Sequence, residues 1–133
     1  MEGKTHLPDL LKNLRPILNE GRYVYCTVDT TDQIPSSNIL LLFKEKEGIT
    51  LVLKKQDAEA FNLPFTYVAA WITLEVHSSL AAVGLTAAFS QALGEANISC
   101  NVVAAYFHDH IFVDEKDASK AMSVLTKLSH PDL

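Results

Sequence analysis

The stretch that says most about the fold is VVAAYFHDHIFV, residues 102–113. An apolar run there meets His108, Asp109 and His110 and then returns to apolar residues. Apolar runs of this length are typical of strands that are covered on at least one face. We therefore predict two buried strands that are joined by a short polar turn at the three titratable residues.

The residues around this hairpin predict a regular order of elements from residue 67 to the end of the chain. A strand over 67–76, a helix over 80–93 and strands over 98–106 and 111–113 precede a final helix after Asp114. The final helix places its apolar residues on one face, namely Ala118, Ala121, Met122, Leu125 and Leu128. This order is most of a ferredoxin-like βαββαβ unit, in which two helices cover one face of an antiparallel sheet. The missing last strand is available from the first half of the chain.

The first half of the chain has a different pattern. Apolar spacing predicts a helix over 8–20, and alternation predicts a strand over 22–28. A polar loop follows, and then a hairpin and a short helix that ends before Pro64, because the residue before proline avoids helical angles. We predict two modules, residues 1–64 and residues 65–133.

Composition limits the class of protein. The chain has 133 residues, of which 48% are hydrophobic and 20% charged, so we expect a globular protein with enough apolar surface to form a homodimer. A net charge of -5 argues against binding of nucleic acid, which needs clustered Lys and Arg. No leader pattern begins the sequence, and no apolar run approaches the ~18 residues of a membrane span. We expect a soluble cytoplasmic protein, with Cys26 and Cys100 as small buried hydrophobes rather than a disulfide.

Several motifs resemble those of ACT domains, above all the small bacterial ACT proteins whose C-terminal module is shared with the arginine-sensing CASTOR proteins. The motifs are residues 71–76 (WITLEV), the loop 78–80 that leads into 83–85, the hairpin 106–113, and in the first half residues 14–16, 21–28 and 47–51. The resemblance covers nearly the whole chain. It implies an α+β fold of ferredoxin-like antiparallel sheets with helices on one face, arranged as two ACT-like modules.

The resemblance also implies a site for a small molecule, typically an amino acid, between the first loop and helix of one module and a neighbouring module. The N-terminus of the helix predicted at Leu80 has unpaired amides and a positive dipole end, which suit a carboxylate. The candidate ligand-binding residues are Ser78, Ser79, Leu80, Val83, Gly84, Asn101, Val102, His108, Asp109, His110 and Ile111.

Each of these residues also has a plain structural interpretation. Ser78 or Ser79 fits a helix cap, and Gly84, inside the predicted helix, fits tight packing as well as it fits ligand contact. His108, Asp109 and His110 allow a metal site or acid–base chemistry, but the favoured interpretation is a turn in which Asp109 bonds local amides and the histidines pack or line an interface.

The sequence as a whole predicts a non-enzymatic regulatory protein that binds an amino acid or a similar metabolite and forms a homodimer. We expect no catalytic residues, no metal and no cofactor. The alternative is a protein-interaction or structural dimerisation module without a ligand. A concave site near Ser79, Gly84, Asn101 and Asp109 would favour ligand binding, whereas side chains that fill this space would favour the interaction module.

Overall fold

The computed structural model describes residues 11–76 and 84–131. Its elements in chain order are β1 (Arg15–Leu18), β2 (Tyr23–Val28), a 3-10 helix (Ser36–Asn38), β3 (Leu41–Lys44), β4 (Ile49–Lys54), α1 (Lys55–Ala60), β5 (Val68–Glu75), α2 (Leu85–Glu95), β6 (Cys100–Ala104), β7 (Asp109–Asp114), a second 3-10 helix (Glu115–Asp117) and α3 (Ala118–Ser129). They fall into two compact units. The large unit joins the segment up to Glu20 to the segment from Ala70 onward, and the small unit is Gly21–Ala69.

The large unit has the strand order β1-β5-β7-β6. Strands β5, β6 and β7 with helices α2 and α3 follow the predicted order βαββα. Strand β1 runs antiparallel to β5, with Arg15 opposite Glu75 and Leu18 opposite Ile72. The prediction that the first half of the chain supplies the last strand of this ferredoxin-like unit is therefore confirmed.

The core of the large unit lies between its sheet and its two helices. Alternate residues of β5 and β7 face the helices, and Ile72 and Ile111 have no exposed surface. Helix α2 contributes Phe89, also without exposed surface, and α3 contributes Leu125. The predicted apolar face of α3 is confirmed, because its five apolar residues all belong to this core or pack against it.

The small unit has the strand order β3-β4-β2-β5, in which Val68 and Ala69 at the start of β5 pair with β2. A loop over residues 29–40 with one 3-10 turn stands where a ferredoxin-like unit has its first helix. Ile34 of this loop is only 8% exposed and packs into the core of the unit, with Val24 and Leu51. Ile39 of the same loop is partly buried and packs against this core, so the loop covers the sheet with two branched apolar side chains in place of a helix.

The helix predicted over residues 8–20 is wrong from Asn13 onward, and residues 8–10 lie outside the described part of the chain. Leu11 and Lys12 are helical, but Arg15–Leu18 is strand β1. The spacing of leucine and isoleucine there fits a helix, but pairing with β5 overrides this local preference. Pro16 is opposite Leu74 in this pair. Proline has no N–H to donate, so it fits a strand position where no further strand needs that donor.

Other predictions have mixed outcomes. The predicted division into residues 1–64 and 65–133 stays a prediction. Both cysteines are free; Cys26 is buried and Cys100 is half-buried. No helix within residues 11–76 and 84–131 combines the length and apolar character needed to cross a bilayer.

Candidate functional site

The junction between β5 and α2 contains the centre of the predicted site. Ser78, Ser79, Leu80 and Val83 lie outside the described residues. Gly84 is described, and it stands at the N-cap of α2 with a φ of 96°. The prediction that Gly84 lies inside a helix is therefore wrong. Positive φ favours glycine because it has no Cβ that clashes with the neighbouring carbonyl.

The first turn of α2 leaves backbone amides available. The first intrahelical bond runs from the Ala88 amide to the Gly84 carbonyl, at 2.9 Å. No side chain caps this end within the described part of the chain. The amides of Leu85, Thr86 and Ala87 therefore have no partner from the helix itself, and they carry the positive end of its dipole.

The β6–β7 hairpin turns earlier than the sequence predicts. Its tip is Tyr106 and Phe107, which are 80% and 78% exposed, and the Ala105 amide donates to the His108 carbonyl at 3.0 Å. Asp109 and His110 lie inside β7. The predicted turn at residues 108–110 is wrong for Asp109 and His110, because both continue the period-two alternation of β7. His110 shares a face with Phe112, and Asp109 shares the other face with Ile111.

The remaining predicted residues of the hairpin do not converge. Asn101 is opposite Phe112, and its Nδ2 donates to the Phe112 carbonyl at 3.4 Å. Asp109 is opposite Ala104. Ala104 lies three residues beyond Asn101 in β6, a distance of about 10 Å at the rise of a strand. Since strand alternation also places Asn101 and Asp109 on opposite faces, the structure does not bring their side chains together. Val102, 37% exposed, is opposite the buried Ile111.

A hydrogen-bonded cluster lies on the face of the large unit's sheet that is opposite its helices. We call it the Trp71 face, and it bears Trp71, Thr73, His110 and Phe112. Trp71 Nε1 is 3.0 Å and Thr73 Oγ1 is 3.1 Å from Nδ1 of His110. Asn19, just after β1, donates from Nδ2 to Thr73 Oγ1 at 2.9 Å and to the Trp71 carbonyl at 3.3 Å. The indole ring also stacks on Phe112, with centroids 6.5 Å apart.

The partners of His110 define its protonation. An indole N–H only donates, so Nδ1 of His110 accepts, and the proton of the neutral ring lies on Nε2. Thr73 accepts from Asn19 and can direct its own hydroxyl proton to the same Nδ1. The cluster therefore holds a neutral imidazole with Nδ1 engaged.

Burial and the neighbouring His108 also favour the neutral form of His110. Burial lowers the pKa of His110, His108 lowers this pKa further, and Asp109 partly opposes both effects. Burial raises the pKa of Asp109, against the attraction of His110 and His108. The Nδ1 atom of His108 is buried without a hydrogen-bond partner among the described residues. The rings of His108 and His110 lie 6.5 Å apart.

This arrangement does not form an acid–base pair. Asp109 and His110 point to opposite faces of β7, and Nδ1 of His110 is engaged by the Trp71 indole and the Thr73 hydroxyl. Among the described residues, no group of three or more His, Cys, Asp or Glu side chains is placed to hold a metal ion. Asn19, Trp71 and Thr73 were missed as members of a cluster. The alternation of Trp71 and Thr73 with the buried Ile72 and Leu74 was the available signal for their shared face.

The strand orders and helix placement define an α+β protein of ferredoxin-like units. Two family models, both of the ACT domain, match residues 2–70 and 66–127. The chain therefore belongs to the ACT domain family, and the predicted resemblance and fold class are confirmed. No curated protein sequence matches the chain significantly.

Solved structures support the same fold. A Vibrio cholerae protein of unknown function, described as a possible transport protein, is 43% identical, with 92% of this chain and 95% of that chain covered and a TM-score of 0.84. An aspartate kinase from Clostridium acetobutylicum, described as an allosteric enzyme, is 11% identical, with 89% and 34% covered and a TM-score of 0.60. A chain proposed to be a C-terminal regulatory domain of aspartate kinase from Porphyromonas gingivalis is 13% identical, with 86% and 95% covered and a TM-score of 0.53.

Proposed function

We propose that this ACT protein is a non-enzymatic regulator that binds a small molecule with a carboxylate, in the first instance an amino acid. The observation that carries the proposal is the start of α2, where Gly84 has a φ of 96° and no side chain within the described residues caps the helix. Family membership and the fold shared with aspartate kinase chains support a regulatory role.

The start of α2 suits a carboxylate for electrostatic reasons. The helix has 11 residues, long enough for its peptide dipoles to place about half a positive charge at the first turn. The amides of that turn have no partner from the helix itself, and they are donors for an anion. Gly84 allows a ligand to approach the backbone, because glycine has no side chain of its own. Contacts from Ser78, Ser79, Leu80 and Val83 are part of the proposal.

The rest of the predicted ligand set extends the proposal to the hairpin. One group of these residues lies along the middle and one end of the β6–β7 pair, namely Asn101, Val102 and Ile111. The other group lies at the end next to the hairpin tip, namely His108, Asp109 and His110. Ligand contact by residues of either group stays a prediction. A ligand that prefers one arrangement of the protein shifts its population, and a partner that binds this arrangement completes the regulation. We propose that the protein acts in the cytoplasm, as a homodimer and without a cofactor.

A thermal-shift screen against the twenty amino acids tests this proposal. A ligand that binds only the folded state at 100 times its Kd stabilises the protein by about 2.7 kcal/mol. We expect a saturable rise in Tm with one or a few amino acids. The absence of a shift with all twenty at millimolar concentration would contradict amino-acid binding.

Two variants of Thr86, an exposed residue in the first turn of α2, locate the ligand. Thr86→Asp adds a negative charge where it stabilises a helix by about 0.3–1 kcal/mol, so the fold is kept. The same charge repels a ligand carboxylate, and we expect affinity to fall at least ~10-fold, equivalent to about 1.4 kcal/mol. Thr86→Asn is the matched neutral control and should keep wild-type affinity. Equal affinity of the two variants would exclude α2 as the carboxylate site.

Exposed apolar residues favour a second candidate function, a protein-interaction module. Phe43 of β3 is 64% exposed, and the tip residues Tyr106 and Phe107 are more exposed still. Strands β3 and β6 are edge strands of their units. The unpaired backbone groups of an edge strand can pair with a strand of another molecule. Light scattering of the wild type and of Phe43→Lys tests this function. A stable dimer that Phe43→Lys dissociates, together with no amino-acid shift, would favour the interaction module.

A further inference from the structure

The Trp71 face contains a feature that the proposed function does not use. The only tryptophan in the sequence donates a hydrogen bond to a histidine of the neighbouring strand in the large unit. We propose that Trp71 and His110 form a pH-responsive bond, which ties β5 to β7 while His110 is neutral and releases the indole when His110 gains a proton.

The hydrogens on the two rings decide how this bond responds to protonation. Trp71 Nε1 lies 3.0 Å from Nδ1 of His110 and carries one hydrogen that it can only donate. In the imidazolium form both ring nitrogens carry protons. A protonated Nδ1 therefore faces the indole N–H with a second N–H, and the hydrogen bond is replaced by repulsion.

Thr73 responds differently from Trp71. Its hydroxyl is 3.1 Å from Nδ1 of His110 and accepts from Asn19. A hydroxyl can reverse its role and accept from a protonated Nδ1, since it has two lone pairs. The indole has no such option, so the loss falls on Trp71.

The charges around His110 set the pH range of the response. Among the described residues, the titratable groups that act on His110 are His108 and Asp109, both on β7. The other elements present neutral residues to it: Trp71 and Thr73 from β5, Asn19 after β1, and Val103, which is opposite His110 on β6. Burial and His108 lower the pKa of His110 more than Asp109 raises it. Release therefore occurs below the pH at which a free histidine titrates.

The release changes how the Trp71 face is packed. The indole is half-buried, 19° from parallel with the Phe112 ring, and 5.8 Å from the His110 ring between centroids. Loss of the bond to Nδ1 removes the hydrogen bond that holds the indole N–H against the His110 ring. Mild acid would thus change the surroundings of the indole on this face while the core on the helix side of the sheet stays intact.

Tryptophan fluorescence reports this event without a label, because the protein has one tryptophan. We expect the emission of the wild type to change between pH 8 and pH 4.5 in one sigmoidal step with its midpoint below 6.5, with far-UV circular dichroism unchanged. His110→Asn should abolish the step, because the amide oxygen accepts from the indole and does not titrate. His108→Asn is the control and should keep the step, moved to higher pH by loss of the neighbouring charge.

Three results would overturn the proposal. They are a flat fluorescence profile of the wild type, a midpoint at or above 6.5, or a step that persists in folded His110→Asn. Nitrogen NMR of the wild-type histidine rings gives a test that needs no variant. We expect His110 to carry its proton on Nε2 at pH 8, and a proton on Nδ1 at that pH would refute the hydrogen-bond assignment on which the proposal rests.

Discussion

Replacing the two glycines at the ends of α2 by alanine should change stability in opposite directions. Gly84 precedes the helix with a φ of 96°, whereas Gly94 lies within the last turn of α2. A Cβ built on Gly94 has no heavy atom within 4 Å, so alanine fits there without rearrangement. The same chemical change is therefore made in a left-handed and in a helical conformation.

The magnitudes follow from the backbone. Alanine is better than glycine in a helix by about 0.5–1 kcal/mol, and Gly94→Ala should stabilise the protein by about this amount. An L-residue in the left-handed region costs roughly 1–2 kcal/mol, so Gly84→Ala should destabilise the protein by about 1 kcal/mol after the gain from a less flexible unfolded chain. For 133 residues, 1 kcal/mol corresponds to a change in Tm of about 4 °C.

Urea unfolding monitored by Trp71 fluorescence measures both effects, since Trp71 and α2 belong to the same unit. We expect the midpoint to rise for Gly94→Ala and to fall for Gly84→Ala, with the slope m unchanged. The reasoning is refuted if both variants shift the midpoint in the same direction. A neutral Gly84→Ala would show that the residue does not adopt positive φ in solution.

Three further predictions concern the large unit. Asn19→Ala removes the donor to the buried Thr73 hydroxyl and should cost about 1–3 kcal/mol in urea unfolding; a loss below about 0.3 kcal/mol would contradict the hydrogen bond. Burial raises the pKa of Asp109, so the folded protein holds the proton of this carboxyl more tightly than the unfolded chain does. The contribution of Asp109 to the free energy of unfolding therefore falls as the pH rises from 3.8 through the folded-state pKa. Asp109→Asn should therefore be more stable than the wild type at pH 7, with a difference that shrinks toward pH 3; a constant difference would refute this assignment. Phe89→Ala empties a fully buried position of α2 and should cost about 3–5 kcal/mol by the same assay, and a cost below 1 kcal/mol would place Phe89 outside the core.

The elements that the sequence predicts correctly are those whose local pattern and tertiary role agree. The apolar face of α3 has the period of a helix, and in β5 the alternate residues Ala70, Ile72 and Leu74 belong to the core. The order βαββα is confirmed for the same reason. The source of the missing strand is also predicted correctly, because an incomplete ferredoxin-like unit leaves one side of β5 unpaired and the first half of the chain can supply the partner.

Other elements could not be predicted because local pattern and tertiary role disagree. Residues 15–18 have helical spacing, but pairing with β5 makes them a strand. The titratable residues 108–110 have the composition of a turn, but the turn forms at Tyr106 and Phe107, and the strand takes up Asp109 and His110. In both cases hydrogen bonds to a neighbouring strand of the sheet outweigh a local preference of less than about 1 kcal/mol per residue.

Residue types and their spacing along the chain are enough to predict the family, the ferredoxin-like class and the apolar face of α3, because these features depend on local pattern. Only the tertiary structure placed Gly84 in the left-handed region, separated Asn101 from Asp109 and joined Trp71 to His110. The physical reason is register. Trp71 and His110 are 39 residues apart, and a shift of one residue in either strand would turn one of the two side chains to the opposite face of the sheet.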